Sequence, residues 1–190
     1  MNGDDLLLEL APIQTSADLM ERFRVGDLPQ RWHDKYGGVL FHDHELQTAL
    51  NQRDMPSGTY HFVEWTAAIW LYERHGLRSL NQQYDKRNHP QKNAILERIA
   101  PPTVVTELFS RTLAPTSGTG AQDLLFNYED ESVWGFCDVK RVDLRGGRLR
   151  RRDQISDRQR TYWSGLARLS GRPVFILPVV IGDEPMGAGE

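Results

Sequence analysis

A chain of 190 residues that is 39% hydrophobic carries enough apolar material for one domain with a real core and too little for two full ones. No window approaches the roughly 18 to 20 apolar residues of a membrane span, and the acidic opening "MNGDDLLLEL" lacks the basic start of a secretory signal, so a cytoplasmic location without a membrane partner is expected. The formal charge of -3 speaks against nucleic acid only as an average, because residues 1–60 hold ten acids and five bases while residues 141–172 hold ten arginines and three aspartates.

Residues 1–58 read as a mostly helical extension, with Ser16 placed to cap "ADLMERF" and a turn-rich link at "QRDMPSGT". Within it, "FHDHE" sets His42 and His44 close together; lacking a nearby cysteine or a second spaced histidine pair, they read as solvated side chains and not as metal ligands. The stretch "HFVEWTAAIWLYERHGL" has apolar residues at helical spacing, carries Glu64 and meets a stop at Gly76. A further helix starts at Pro90 in "PQKNAILERI" and ends before the prolines at 101 and 102. "TVVTELFSRTL", which contains Glu107, fits helix or strand, since its early residues are β-branched and its later ones suit a helix.

A glycine-bearing loop, "SGTGAQ", leads into "DLLFNY", "EDES" and "VWGFCDVK", the order strand, turn, strand of an antiparallel hairpin. A turn centred on Asp130 and Glu131 makes Asp123 and Asp138 cross-strand neighbours, with Cβ atoms roughly 5 Å apart. The second strand is apolar on both alternating faces, which suits the middle of a covered sheet, and Cys137 reads as a small core residue. Next comes an arginine-rich loop, "RVDLRGGRLRRRDQ". The helix "SDRQRTYWSGLARLSG" follows, with Ser156 and Gln159 forming a capping box and Gly171 the stop. Tyr162 and Trp163 on it read as core. "RPVFILPVVIG" then reads as an apolar strand that a crossover helix makes parallel to "VWGFCDVK", and residues 183–190 as a frayed tail.

Asp138 and Lys140 share one face at the C-terminal end of their strand, where open α/β sheets place ligand sites. Charges beside an apolar core are costly unless paired or bound to a metal. Two juxtaposed carboxylates suit Mg2+ or Mn2+, with Asp123, Asp138 and the backbone carbonyl of Val139 as oxygen ligands. Lys140 stands beside them, able to steady charge developing on a phosphate. Such a set favours phosphodiester hydrolysis. Arg145, Arg148, Arg150, Arg151 and Arg152 in the following loop form a candidate phosphate clamp that reads backbone and not bases.

These residues resemble the VRR-NUC branch of the PD-(D/E)XK nuclease superfamily. "GAQDLLFNYEDESVWGFCDVK" followed by "ISDRQRTYWSGLARLSGRPVFILPVV" is similar to that family's order of glycine-containing loop, metal aspartate, hairpin, acid-x-lysine, serine- and glutamine-opened helix and apolar strand. The likeness spans residues 118–181. It implies an α/β fold with a restriction-endonuclease-like core, a central mixed sheet flanked by helices, over residues 59–182. It also implies catalytic roles for Asp123, Asp138 and Lys140, with Gln159 assisting the site or contacting DNA. The superfamily's extra helical glutamate is matched by Glu64, with Glu107 in reserve. Gln122 stands where the family often has proline, Asp138 replaces the commoner glutamate, and the arginine loop is longer than the family's.

The expected activity is therefore a metal-dependent DNA nuclease selective for structure, branched or flapped DNA included, in repair, recombination or phage defence. A homodimer is left open. The alternatives are an inactive nuclease-fold module that binds nucleic acid or protein, and a partner-binding protein whose acidic first part makes the contact. A G-x-x-x-x-G-K-[ST] phosphate loop and a G-x-S-x-G elbow are both missing from the sequence.

Overall fold

The computed structural model describes residues 6–53, 55, 59, 61–81, 84–87, 89–114, 122–130, 132–151 and 154–182, with Arg151 described by its backbone alone. The strands are β1 (Leu7–Glu9), β2 (Ile13–Thr15), β3 (Arg78–Asn81), β4 (Leu124–Asn127), β5 (Trp134–Arg145), β6 (Arg148–Arg151) and β7 (Val174–Ile181). The helices are α1 (Ala17–Arg24), α2 (Asp27–Tyr36), α3 (Asp43–Asn51), α4 (Phe62–His75), α5 (Pro90–Ile99), α6 (Pro102–Ser110) and α7 (Asp157–Ser170). The strands join one mixed sheet in the order β1-β7-β5-β4-β3, with β2 also on β7 and β6 on β5. The chain is thus α/β, a mixed open sheet flanked by helices.

Local signals account for most of the helices. Ser16 accepts a hydrogen bond from the Leu19 backbone N–H at 3.1 Å and opens α1. Gly76 and Gly171 end α4 and α7 in the left-handed conformation that glycine adopts without penalty. Pro90 starts α5, and "TVVTELFSRTL" resolves as helix α6 behind Pro102.

β5 is the central strand. It runs parallel to β7 along residues 136–143, and its alternating residues enter two cores. Cys137 and Val139 join Phe23, Phe41, Phe62, Trp65, Leu124 and Phe126 on the α4 side. Trp134 and Phe136 join Tyr84, Leu96, Val104, Leu108, Tyr162 and Trp163 on the α5–α7 side. Tyr162 and Trp163 are fully buried, as core residues should be. Cys137 is also buried, and its thiol is pushed well above its ordinary range first by burial and then by the negative charges of Asp138 and Asp123.

Three expectations need correction. The first 58 residues are not a separate helical extension: β1 and β2 both pair parallel with β7, and Phe23, Leu28, Tyr36 and Phe41 share the core with α4. A three-residue strand pairing with a partner 167 positions away along the chain leaves no alternation long enough to read. The "arginine-rich loop" is a hairpin, because β5 continues to Arg145 and folds back as β6 with Arg145 opposite Arg148. Gly146 and Gly147, at φ 55° and 67°, make the two-residue turn whose twist suits a hairpin. Finally, His44 is half-buried and not fully solvated; it lines a cleft with residues of α4, α5 and β3. The predicted tail 183–190, most of the loop before Gln122, Glu131 and Arg152 lie outside the described residues.

Candidate active site

The β4–β5 register pairs Leu124 with Cys137 and Asn127 with Trp134. Continued by one residue, it sets Asp123 beside Asp138, the placement expected from a turn around Asp130. β4 occupies one edge of β5 along residues 134–137, and β6 occupies the same edge along residues 142–145. Between them, residues 138–141 face a break in the ladder. Asp123 fills it: its Oδ2 accepts a hydrogen bond from the Val139 backbone N–H at 2.9 Å. N–H and C=O of one strand residue point to the same edge, so the Val139 carbonyl opens onto the same break.

Asp138 and Lys140 lie on the α7 side of β5. Asp138 is 2% exposed and Lys140 8%, and the Lys140 ammonium stands 2.5 Å from Asp138 Oδ2. A buried carboxylate needs such a partner, because desolvating an unpaired charge costs several kcal/mol. Behind the ammonium lies the Trp163 ring, its centroid 5.4 Å from Nζ, which holds the lysine over an aromatic face. Trp163, which sequence reasoning assigned to the core, thus also borders the candidate site. Only the register of α7 over β5 reveals the second role.

Tyr84 is a second residue the sequence did not single out. It is fully buried, and its hydroxyl donates to the backbone carbonyl of Gln122 at 2.9 Å, which pins the entry to Asp123. Burial raises its phenol well above the ordinary range, with Asp85, Asp123, Tyr162 and Asp138 adding to the effect. The fields of Asp123 and Asp138 thus overlap at both Tyr84 and Cys137.

Other expected members have contacts of their own. Gln159 completes the capping box: its Oε1 accepts from the Ser156 backbone N–H at 3.0 Å, and Ser156 Oγ accepts from the Gln159 backbone N–H at 3.2 Å, so its side-chain oxygen is taken up by the helix start. Glu107 accepts from the Leu113 N–H at 2.8 Å and from the Thr112 hydroxyl, closing the end of α6. Glu64 is buried on α4 and lines a cleft with His44, Glu45, His61, Asn81 and Lys92. Among the described residues no group of three or more His, Cys, Asp or Glu side chains is placed to hold a metal ion, so Glu64 adds no third carboxylate to Asp123 and Asp138.

The arginines also divide. Arg145 faces Arg148, and Asp143 faces Arg150, so these residues share one side of the hairpin. By strand alternation that side is opposite to the one carrying Asp138 and Lys140. Asp143 is buried and draws in Arg141 at 2.9 Å and Arg145 at 3.8 Å. Arg148 and Arg150 are exposed. Arg145, Arg148 and Arg150 therefore lie on the face of the hairpin opposite to Lys140, while Arg151 pairs with Val142, which is in phase with Asp138 and Lys140 along β5.

Compared with known proteins, the chain matches no family model, no curated protein and no solved structure.

Proposed function

We propose that the protein is a metal-dependent nuclease of the PD-(D/E)XK type, VRR-NUC-like, that hydrolyses phosphodiester bonds in DNA and selects structure more than sequence. The observation that carries this reading is the break in the β5 ladder, where Asp123 reaches Val139 while the buried Asp138–Lys140 pair stands on the adjoining residues. The order of hairpin, crossover helix α7 and parallel strand β7 supports it, being the order the sequence resemblance implies.

The donor set is one of hard oxygens, two carboxylates and a carbonyl, which suits Mg2+ or Mn2+ and leaves coordination positions to water and substrate. Asp123, Asp138 and the Val139 carbonyl would hold the ion, which supplies positive charge to polarise a phosphoryl oxygen. Lys140 does the rest of the electrostatic work. Its ammonium, positioned by Asp138 and by the Trp163 face, offers N–H donors toward negative charge that builds on the phosphate. Because the site is already desolvated, those donors act in a low dielectric and need little reorganisation. The exposed Arg148 and Arg150 add sequence-independent contacts to the DNA backbone.

A second reading, an inactive nuclease-fold module that binds nucleic acid, is favoured by one observation: the described residues supply no third acidic ligand. A cleavage panel decides between them. Single strands, duplex, flaps and four-way junctions are incubated with Mg2+ or Mn2+, using wild type and Lys140→Ala. Cleavage lost in the variant supports the enzyme. Retained DNA affinity without cleavage in either protein supports the binding module.

A further inference from the structure

The two faces of the β5–β6 hairpin differ in kind. Arg145, Arg148 and Arg150 share the face away from Lys140, where Asp143 also lies. The other face is in phase with Asp138 and Lys140 and carries Leu144 opposite Leu149. Leu149 is 54% exposed, the most exposed large hydrophobic side chain among the described residues. Val142, two residues nearer the site on the same face, is buried, so the cover over β5 ends before the leucine pair. Leu144 is half-buried and packs on Gly182, where an added Cβ would meet its own at 2.7 Å. Leu149 stands out from that base into solvent.

The ribbon around this leucine is cationic: residues 144–151 hold four arginines and no acid. An apolar side chain set among arginines complements DNA at an opened base step, where a flat base face is bordered by phosphates. The division of faces says which DNA. A ribbon lying in the groove of an intact duplex turns one face to the bases. With the arginine face turned to the duplex, Asp138 and Lys140 point away from it; with the leucine face turned to it, Arg148 and Arg150 point away. DNA whose strands part around the hairpin engages both faces at once.

We infer that the β5–β6 hairpin is a wedge for branched DNA. The arginine face holds phosphates of the paired region, Leu149 stacks on the last base pair, and the strand that leaves the duplex runs over the leucine face toward Lys140. The inference rests on the nuclease reading and assigns its preference for DNA structure to one side chain. Leu144, opposite Leu149, stands about 14 Å past Lys140 along β5, so the scissile phosphate lies about four stacked nucleotides from the branch point.

Anisotropy of fluorescent DNA is read with the full chain and no divalent cation. The probes share one sequence: a blunt duplex, the duplex with an unpaired 3′ branch, and the duplex with an unpaired 5′ branch. Wild type is expected to bind one branched form about tenfold tighter than the duplex, the scale of one stacked base. Leu149→Ala is expected to remove most of that preference while its duplex affinity stays within about twofold of wild type. The site is exposed, so its melting temperature should not move. Leu149→Phe, another apolar wedge, is expected to keep the preference. Equal affinity for all the probes overturns the inference, as does failure to bind any of them or an unchanged preference in Leu149→Ala. Adding Mg2+ to the same mixtures separates the two readings. A branch preference that Leu149→Ala removes, without cleavage by wild type, retains the wedge and removes the nuclease. Cleavage that ignores the branch, at equal rates in wild type and Leu149→Ala, does the reverse.

Discussion

Asp123 and Val139 are joined by a hydrogen bond that takes the place of a strand: the carboxylate accepts the backbone N–H at 2.9 Å where neither β4 nor β6 reaches β5. The same side chain therefore completes the sheet edge and supplies a candidate ligand. These roles are separable by chemistry. Asparagine keeps a carbonyl oxygen able to accept from Val139 and loses the charge. Asp123→Asn should therefore fold with a melting temperature close to wild type while cleavage falls by about 10²-fold or more, the scale of removing one electrostatic element from an active site. Asp123→Ala should lose activity and stability together, by about 1 to 3 kcal/mol for the orphaned N–H. Melting curves and initial rates on one substrate check both.

The Asp138–Lys140 pair makes a sharper test. Both residues are nearly fully buried, so removing one leaves an uncompensated charge beside the Trp163 core. Lys140→Met should cost about 3 to 5 kcal/mol in urea unfolding, and the double variant Asp138→Asn with Lys140→Met should recover most of it. Both should be inactive. Recovery of stability without activity would assign the pair to catalysis; a double variant as unstable as the single one would show that the pair's charges are not what the fold responds to.

How much of this was legible in the sequence follows from the range of each interaction. The pairing of Asp123 beside Asp138 depends only on a short hairpin whose alternation and turn residues lie within about twenty positions, and it was readable. So were the caps at Ser16 and Ser156, because capping is settled within one turn. β3, with four residues and no alternation, was not readable, and neither were β1 and β2, whose pairing with β7 depends on tertiary contacts alone. The β5–β6 hairpin is different: "LRGGRL" carries a two-residue Gly-Gly turn between alternating residues, a signal that the density of arginine obscured. The Asn81 and Lys92 cleft draws on four separate elements, and no local pattern encodes it.

The cleft histidines give the fold an acid limit. His61 titrates at about 4, held down first by burial and second by Lys92. Its pKa in the unfolded chain is near 6.5, so the unfolded state binds the proton more tightly. Stability from this group is complete above about pH 6.5 and is lost as pH falls toward 4, by about 2 to 3 kcal/mol. His44 and His89 shift in the same direction and add to the loss. Urea unfolding at pH 7, 6, 5 and about 4 should show the decline, and His61→Gln should flatten it. A slope unchanged in that variant would assign the acid sensitivity to other groups.

The arginine arm should act on binding and leave the chemical step alone. Arg148 and Arg150 are exposed and lie on the side of the hairpin away from Lys140, so neither reaches the reacting phosphate, yet both present guanidinium groups to a DNA backbone. Each phosphate contact releases condensed counterions, so Arg148→Ala with Arg150→Ala should weaken DNA affinity at low salt. The slope of log K against log salt should also drop by about one per arginine lost. The rate at saturating DNA should stay near wild type. Arg141 and Arg145 differ, because Asp143 already engages both; their replacement should change the salt slope less and cost stability by exposing the buried Asp143 charge. A salt slope unaffected by the Arg148/Arg150 double variant would place the DNA on another surface of the molecule.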